Sequence, residues 1–223
     1  MLKLVPAPRV QSRELKPWDL EETTAFLGAA RKDSLYPAIV LAVALGRRRG
    51  EVLALRWSGI DLERRTLTVR NQIQRAQKEL YADSTKNRRT RAIPVPLMYV
   101  APLRWQRLRQ AAPRNDAGHA WHDSDYVFTT RTGRTIEPRN LSQAFERITE
   151  DSGLRPIRLH DARHGCATLL FAVDVPARVV MEILGHGHSQ IAVTMNIYTH
   201  VSDDNRREAM GHMDRLLRRR RPE

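Results

Sequence analysis

Three short stretches of the sequence carry side chains that can bind or attack an anion. The first is a run of three arginines, Arg47 to Arg49, between Gly46 and Gly50. A guanidinium held at such a junction can donate two parallel hydrogen bonds to a phosphate, a geometry that lysine does not reproduce. A solvated basic turn is the simpler interpretation, and this stretch alone leaves both open.

The second stretch is His160-Asp161-Ala162-Arg163-His164, which opens a predicted helix. The i, i+3 spacing puts His160 and Arg163 on one helix face. That face lies near the positive end of the helix dipole, where an anion is stabilised. A surface pair without function is the commoner meaning of this pattern.

The third stretch is Leu184-Gly185-His186-Gly187-His188, followed by Tyr198-Thr199-His200-Val201. Several neighbouring histidines raise the question of a metal site. The sequence has one cysteine, Cys166, and no His-Glu-x-x-His pattern, so a metal site is disfavoured. Taken alone, Tyr198 fits a half-buried helical tyrosine.

The composition limits the class of partner. The chain has 223 residues, a formal net charge of +13 and 6% aromatic residues. Such a charge favours a polyanion, most often nucleic acid, and the sparse aromatics favour a duplex over a single strand. The longest apolar run, residues 38–45, is too short to cross a bilayer, and no secretory signal is recognisable at the N-terminus. With a lone cysteine, the expected compartment is the cytoplasm.

Residue periodicity predicts a mainly α fold with a small three-stranded antiparallel β-sheet, an α+β class. The sheet is expected between residues 66 and 95, with a loop at residues 113–124 and a short strand at residues 126–128. The predicted helices cover residues 20–30, 37–45, 49–55, 97–111, 140–152, 160–171, 176–184 and 206–217, with a further helical segment around Tyr198.

Four motifs occur in a fixed order: Gly-x-Arg-x-x-Glu at residues 46–51, His-x-x-Arg at 160–163, Leu-Gly-His at 184–186, and Tyr198 before Thr-His-Val. In this order and at these intervals, they resemble the tyrosine recombinase (phage integrase) family over residues 17–205. The resemblance implies the catalytic-domain fold of that family there. Residues 1–16 are expected to form a linker or N-terminal arm, and residues 206–223 a C-terminal amphipathic helix with a basic tail.

The resemblance also implies the site and its chemistry, in which duplex DNA is cut and rejoined through a 3′-phosphotyrosine. Tyr198 would be the nucleophile and His160 its general base, while His186 would hydrogen-bond a phosphate oxygen. Two guanidinium groups, those of Arg48 and Arg163, would stabilise the transition state, so neither metal nor cofactor is implied. Lys86, eight residues before Pro94 at the place where the family carries a basic residue in a β-hairpin, would protonate the leaving 5′-oxygen.

The sequence departs from the family pattern in two places. Arg47 stands where many relatives carry an apolar residue, so the assignment of Arg48 depends on its register with Gly46 and Glu51. In the third motif, Leu-Gly-His selects His186, whereas the distance to Tyr198 suits His188 better. We favour His186 because the predicted helix leads directly into it.

The expected partner is double-stranded DNA, on which the family implies a homotetramer that is weakly associated or monomeric without DNA. The leading hypothesis is an integrase of a bacterial mobile element acting in the cytoplasm. No core-binding domain is recognisable before Pro17, so a catalytic fragment and a naturally short member both remain open. The alternatives are a type IB topoisomerase-like enzyme and a catalytically silent DNA-binding fragment.

Overall fold

The computed structural model of the chain describes residues 16–76, 79–84 and 90–185. Its helices and strands are α1 (Leu20–Ala30), α2 (Tyr36–Val43), α3 (Arg49–Leu53), β1 (Ile60–Asp61), β2 (Thr66–Val69), β3 (Asn71–Ala76), β4 (Glu79–Ser84), β5 (Arg91–Pro94), α4 (Val100–Ala117), α5 (Pro138–Asp151), α6 (Leu159–Ala172) and α7 (Ala177–Leu184). The mainly helical α+β class is confirmed. Among these described helices, none is long and apolar enough to cross a membrane.

Helix α2 forms the centre of the core. It begins with proline in its first turn, and every residue from Pro37 to Val43 is buried, which explains why its sequence is apolar on all sides. Helix α1 begins with a reciprocal cap, in which the backbone N–H of Glu22 donates to Asp19 Oδ1 at 2.8 Å and the N–H of Asp19 donates to Glu22 Oε2 at 3.0 Å.

The aromatic side chain before α1 fixes this helix against α5. Trp18 is 1% exposed, and its ring centroid lies 4.9 Å from that of Phe26 on α1 and 5.3 Å from that of Phe145 on α5. Its indole N–H donates to the carbonyl of Arg155 at 2.9 Å. Trp18 therefore packs the start of α1 against α5.

The strands form two separate antiparallel sheets in the described part of the chain. One has the order β1-β2-β5, with Leu67 opposite Ile93, and it is the predicted three-stranded sheet. The other is a β3–β4 hairpin, which also lies within the span where the sequence predicts β-structure. The hairpin packs closely on α3: Gly50 approaches Ile73 so nearly that an added Cβ would lie 2.6 Å from the Ile73 carbonyl oxygen.

Two local predictions were wrong. Helix α4 does not end before Pro113 but continues to Ala117, and a short 3-10 turn follows at Gly118–Ala120 in place of the predicted loop. Residues 126–128 form no strand of a sheet; Tyr126 makes a single antiparallel bridge with Arg56. The helical segments predicted around Tyr198 and at residues 206–217 lie outside the described residues.

Candidate active site

The first arginine motif begins in a tight turn between α2 and α3. Gly46 has φ +58°, and a Cβ there would lie 2.4 Å from Leu184 Cδ2 and 3.2 Å from Cys166 Sγ. A side chain at this position would therefore be strained and would push against both α7 and α6. Gly46 therefore lets the arginine motif pack closely against α6 and α7.

Cys166 lines the same turn. It is 6% exposed, and its thiol donates to the carbonyl of Ala44 at 3.4 Å. Burial raises the pKa of this thiol to about 11, against the opposing effect of Arg47 and Arg163. Cys166 is therefore a protonated packing residue at neutral pH.

Arg48 lies at the N-cap of α3 and is held by Glu51 in the first turn. The Arg48 backbone N–H donates to Glu51 Oε2 at 3.3 Å, and Arg48 Nη1 donates to Glu51 Oε1 at 3.1 Å. The Arg48 side chain is 22% exposed, whereas that of Glu51 is 1% exposed. The buried carboxylate thus orients a guanidinium that still reaches the surface.

Arg163, from α6, is brought to the same turn although it lies 117 positions from Gly46. Its Nη1 donates to the Gly46 carbonyl at 2.7 Å, and its Nη2 donates to the Leu184 carbonyl at 2.6 Å. Burial, with Arg48 as the next contribution, lowers the pKa of Arg163 to about 9, so the group stays charged at neutral pH. The two carbonyls fix the plane of the guanidinium. The Arg163 side chain therefore joins α6, the turn at Gly46 and the end of α7.

His160 lies on α6 one turn before Arg163 and reaches the surface. Its ring contacts that of His164 edge to face, with centroids 5.6 Å apart. Partial burial lowers the pKa of His160, and His164, Arg163 and Arg48 lower it further, against the raising effect of Asp161. The imidazole is consequently neutral at pH 7 and can accept a proton.

Arg47 is buried although its side chain is charged. It is 2% exposed; its Nε donates to the Leu45 carbonyl at 2.8 Å, and its Nη2 donates to the Ile183 carbonyl. Burial lowers its pKa to about 10. Arg47 therefore points into the core, whereas the Arg48 side chain reaches the surface.

Arg91 begins β5 and belongs to the same cluster, although no sequence motif predicts it. Its Nη2 donates to Glu51 Oε1 at 3.0 Å, and its side chain is 17% exposed. In the sequence it is the last of several arginines between residues 88 and 91, and nothing in that run distinguishes it from its neighbours. Only the pairing of β5 with β2 brings it to the arginine motif.

The remaining predicted site residues lie outside the described part of the chain: Lys86, His186, its alternative His188, and Tyr198. Lys86 belongs to the connection from β4 to β5, and these flanking strands pair with β3 and β2 respectively. The structure thus brings together Arg48, His160 and Arg163 among the six predicted residues.

The fold is similar to that of solved integrase and recombinase structures. The Tn1549 transposon integrase in complex with transposon right end DNA superposes with a TM-score of 0.77 at 20% identity, over 93% of this chain and 69% of that chain. The XerA recombinase superposes with a TM-score of 0.66 at 21% identity, over 93% and 66%. At this identity the likeness establishes the fold.

Sequence comparison establishes the family. The sequence model of the phage integrase family matches residues 19–205, so the chain belongs to that family. It is 31% identical to a XerC-like tyrosine recombinase of Caldanaerobacter subterraneus subsp. tengcongensis over 95% of its own length, and 29% identical to an integrase of Saccharopolyspora erythraea over 96%. The chain spans 57% and 60% of the length of these two relatives.

Proposed function

We propose that this chain is the catalytic domain of a site-specific DNA recombinase that cuts and rejoins duplex DNA through a 3′-phosphotyrosine. The observation that carries the proposal is the convergence at one turn of Arg48 and Arg163, with His160 on the same helix as Arg163. These are the residue types that an attack on a phosphodiester requires. The family to which the chain belongs supports the reaction type.

In the proposed reaction, Tyr198 Oη attacks the scissile phosphorus while His160 takes the phenolic proton. A tyrosine hydroxyl has a pKa of about 10 and is almost fully protonated at pH 7, so the base is needed. The bond from phosphorus to the 5′-oxygen breaks, and Lys86 donates the proton that this oxygen acquires. The products are a 3′-phosphotyrosine and a free 5′-hydroxyl, and the reverse attack rejoins the strand.

The transition state places negative charge on the non-bridging phosphate oxygens. Arg48 and Arg163 supply fixed positive charge at that point, and His186 donates a further hydrogen bond. Glu51 and the carbonyls of Gly46 and Leu184 hold the two guanidinium groups before substrate arrives. Fixed donors stabilise the transition state without reorganising during the reaction, so the proposal involves no metal ion or cofactor.

The proposed partners are duplex DNA and further copies of the chain. Structures of the Tn1549 integrase and of the XerH recombinase include DNA, which supports the first. We propose a tetramer on DNA, with residues 17–205 as the catalytic unit and residues 1–16 as a linker or N-terminal arm. Residues 206–223 would form a C-terminal amphipathic helix and a basic tail, and the helix would contact a neighbouring copy. We further propose a mobile-element integrase, which the integrases among its relatives support, and a cytoplasmic site of action.

A covalent-adduct assay tests the proposed function. The chain is incubated with a nicked suicide duplex that a full-length relative cleaves, and the protein–DNA adduct is measured after denaturation. We expect an adduct that Tyr198→Phe abolishes, that Arg48→Ala slows about 10²- to 10³-fold, and that excess EDTA leaves unchanged.

Tyr81→Phe is the matched control, because this tyrosine is 41% exposed on β4 and its hydroxyl donates to Gln74. It should leave adduct formation as in the parent chain. An adduct that persists in Tyr198→Phe, or that requires a metal ion, would contradict the mechanism. Binding of the duplex without any adduct would instead support a catalytically silent DNA-binding protein.

A further inference from the structure

Arg91 contacts two of the family motifs although it belongs to neither. Its Nη2 donates to Glu51 Oε1 at 3.0 Å, and Arg48 Nη1 donates to that same oxygen at 3.1 Å. One buried carboxylate oxygen therefore accepts hydrogen bonds from the strand β5 and from the N-cap of α3. Movement of Arg91 would change the position of the acid that orients Arg48.

The second contact is with the residue that ends α7. Gly185 has φ +70°, and a Cβ built on it would lie 1.2 Å from Arg91 Nη1 and 2.0 Å from Arg91 Cζ. The guanidinium therefore occupies the space that any side chain at position 185 would need. Gly185 immediately precedes His186, so Arg91 packs against the backbone that leads into the third motif.

These contacts, rather than a full set of hydrogen bonds, hold the side chain. The Nε of Arg91 is buried and has no hydrogen-bond partner in the described structure. A planar guanidinium can lie against the glycine backbone and reach Glu51 at the same time, whereas the ammonium of lysine is a single point of charge on a flexible stem. The shape of the group matters here as well as its charge.

We propose that Arg91 is a positioning residue for the strand-cleavage reaction. It acts through Glu51 on Arg48 and through Gly185 on the entry to His186, and it does not contact DNA. The inference rests on the proposed recombinase function. The positioning role needs both contacts at once. Lysine, or any residue that only neutralises Glu51, should therefore not replace Arg91.

The experiment measures the rate of adduct formation at saturating DNA, the Kd for the duplex and the Tm for Arg91→Ala and Arg91→Lys. We expect Arg91→Ala to slow the reaction about 10- to 100-fold with an unchanged Kd. Arg91→Lys should restore the Tm but not the rate. Full restoration of the rate by lysine, or a loss explained by weaker DNA binding, would overturn the proposal.

Arg64→Ala is the matched control. It removes one positive charge from the β1–β2 turn of the same sheet, where Arg64 is 87% exposed and pairs only loosely with Asp61 at 3.8 Å. We expect its rate to equal that of the parent chain. An equal slowing in Arg64→Ala and Arg91→Ala would mean that net charge alone is responsible, which would refute a positioning role.

A double-mutant cycle tests the contact without DNA. Gly185→Ala should lower the Tm for two reasons: alanine is strained at φ +70°, and its Cβ displaces the Arg91 guanidinium. The strain should remain in the Arg91→Ala background, whereas the part due to displacement should disappear. Additive effects on Tm would overturn the contact. If the unmodified chain forms no adduct, the proposed function fails, while this cycle still decides whether Arg91 holds Gly185.

Discussion

Glu51 is the residue on which the described site depends most. Burial raises the pKa of its carboxyl, but Arg91, Arg47, Arg163 and Arg48 together lower it below its ordinary value. The acid is therefore ionised at neutral pH and balances only part of the surrounding positive charge. The remaining field attracts an anion such as a phosphodiester, while the carboxylate keeps the guanidinium groups from separating.

The basicity of His160 is set by its neighbours and can be changed through one of them. Partial burial comes first, and the His164 ring then lowers the pKa of His160 below its ordinary value of 6.5. A base with a lowered pKa remains unprotonated to lower pH, so the acid limb of the rate profile should lie below pH 6.5. His164→Asn removes one lowering contribution, and the limb should move to higher pH.

The measurement is the rate of adduct formation at subsaturating DNA between about pH 5 and about pH 8, because that rate reports the pKa of the DNA-free chain. His119→Asn serves as the control, since this histidine lies in the exposed 3-10 turn after α4. The control should keep the profile of the parent chain. An acid limb that stays in place in His164→Asn would show that the neighbouring ring does not set the basicity of His160.

At the scale of elements, the sequence predicts what local patterns determine. The cap at Asp19 and the all-apolar α2 are local properties, so α1 and α2 could be expected. The convergence of Arg48 with Arg163 is not local, and only the family resemblance implied it. The end of α4 could not be expected: Pro113 lacks one backbone hydrogen bond, yet the surface helix continues beyond it. Tertiary contacts decide this, as they decide the burial of Arg47 and the position of Arg91.

The packing of α1 against α5 predicts how a substitution there changes the free energy of unfolding. Trp18 fills the space between Phe26 and Phe145 and is 1% exposed, so Trp18→Ala should cost about 3–5 kcal/mol of unfolding free energy. Urea denaturation followed by circular dichroism measures this loss. Trp105→Ala, on the solvent side of α4 where the ring is 45% exposed, should cost far less. Equal losses in the two variants would contradict the central role of Trp18.

The molecule as a whole carries a formal net charge of +13, far more than the site alone requires. Such a surplus favours contact with the phosphate backbone over a long stretch of duplex. Phosphate contacts position a protein on DNA, whereas contacts to base edges specify the sequence. We therefore expect the chain by itself to bind duplex DNA with modest sequence preference and strong dependence on salt.

A titration of fluorescent duplex at increasing salt tests this expectation. A protein with about 6 to 10 phosphate contacts loses about 10³- to 10⁵-fold in affinity between about 50 and about 200 mM salt, because binding releases condensed counterions. The plot of log Kd against log salt should be steep for specific and scrambled duplexes alike. A shallow slope, or affinity confined to one sequence, would show that base contacts dominate.

The burial of Cys166 makes its thiol a probe of local opening in the protein. It is the chain's single cysteine, it is wedged beside Gly46 where three helices converge, and its thiol has a pKa of about 11. An alkylating reagent needs an exposed thiolate, so modification must wait for this junction to separate. The rate at which Cys166 Sγ is alkylated therefore measures how often the turn at Gly46 opens. A bound duplex that stabilises this junction would slow the alkylation.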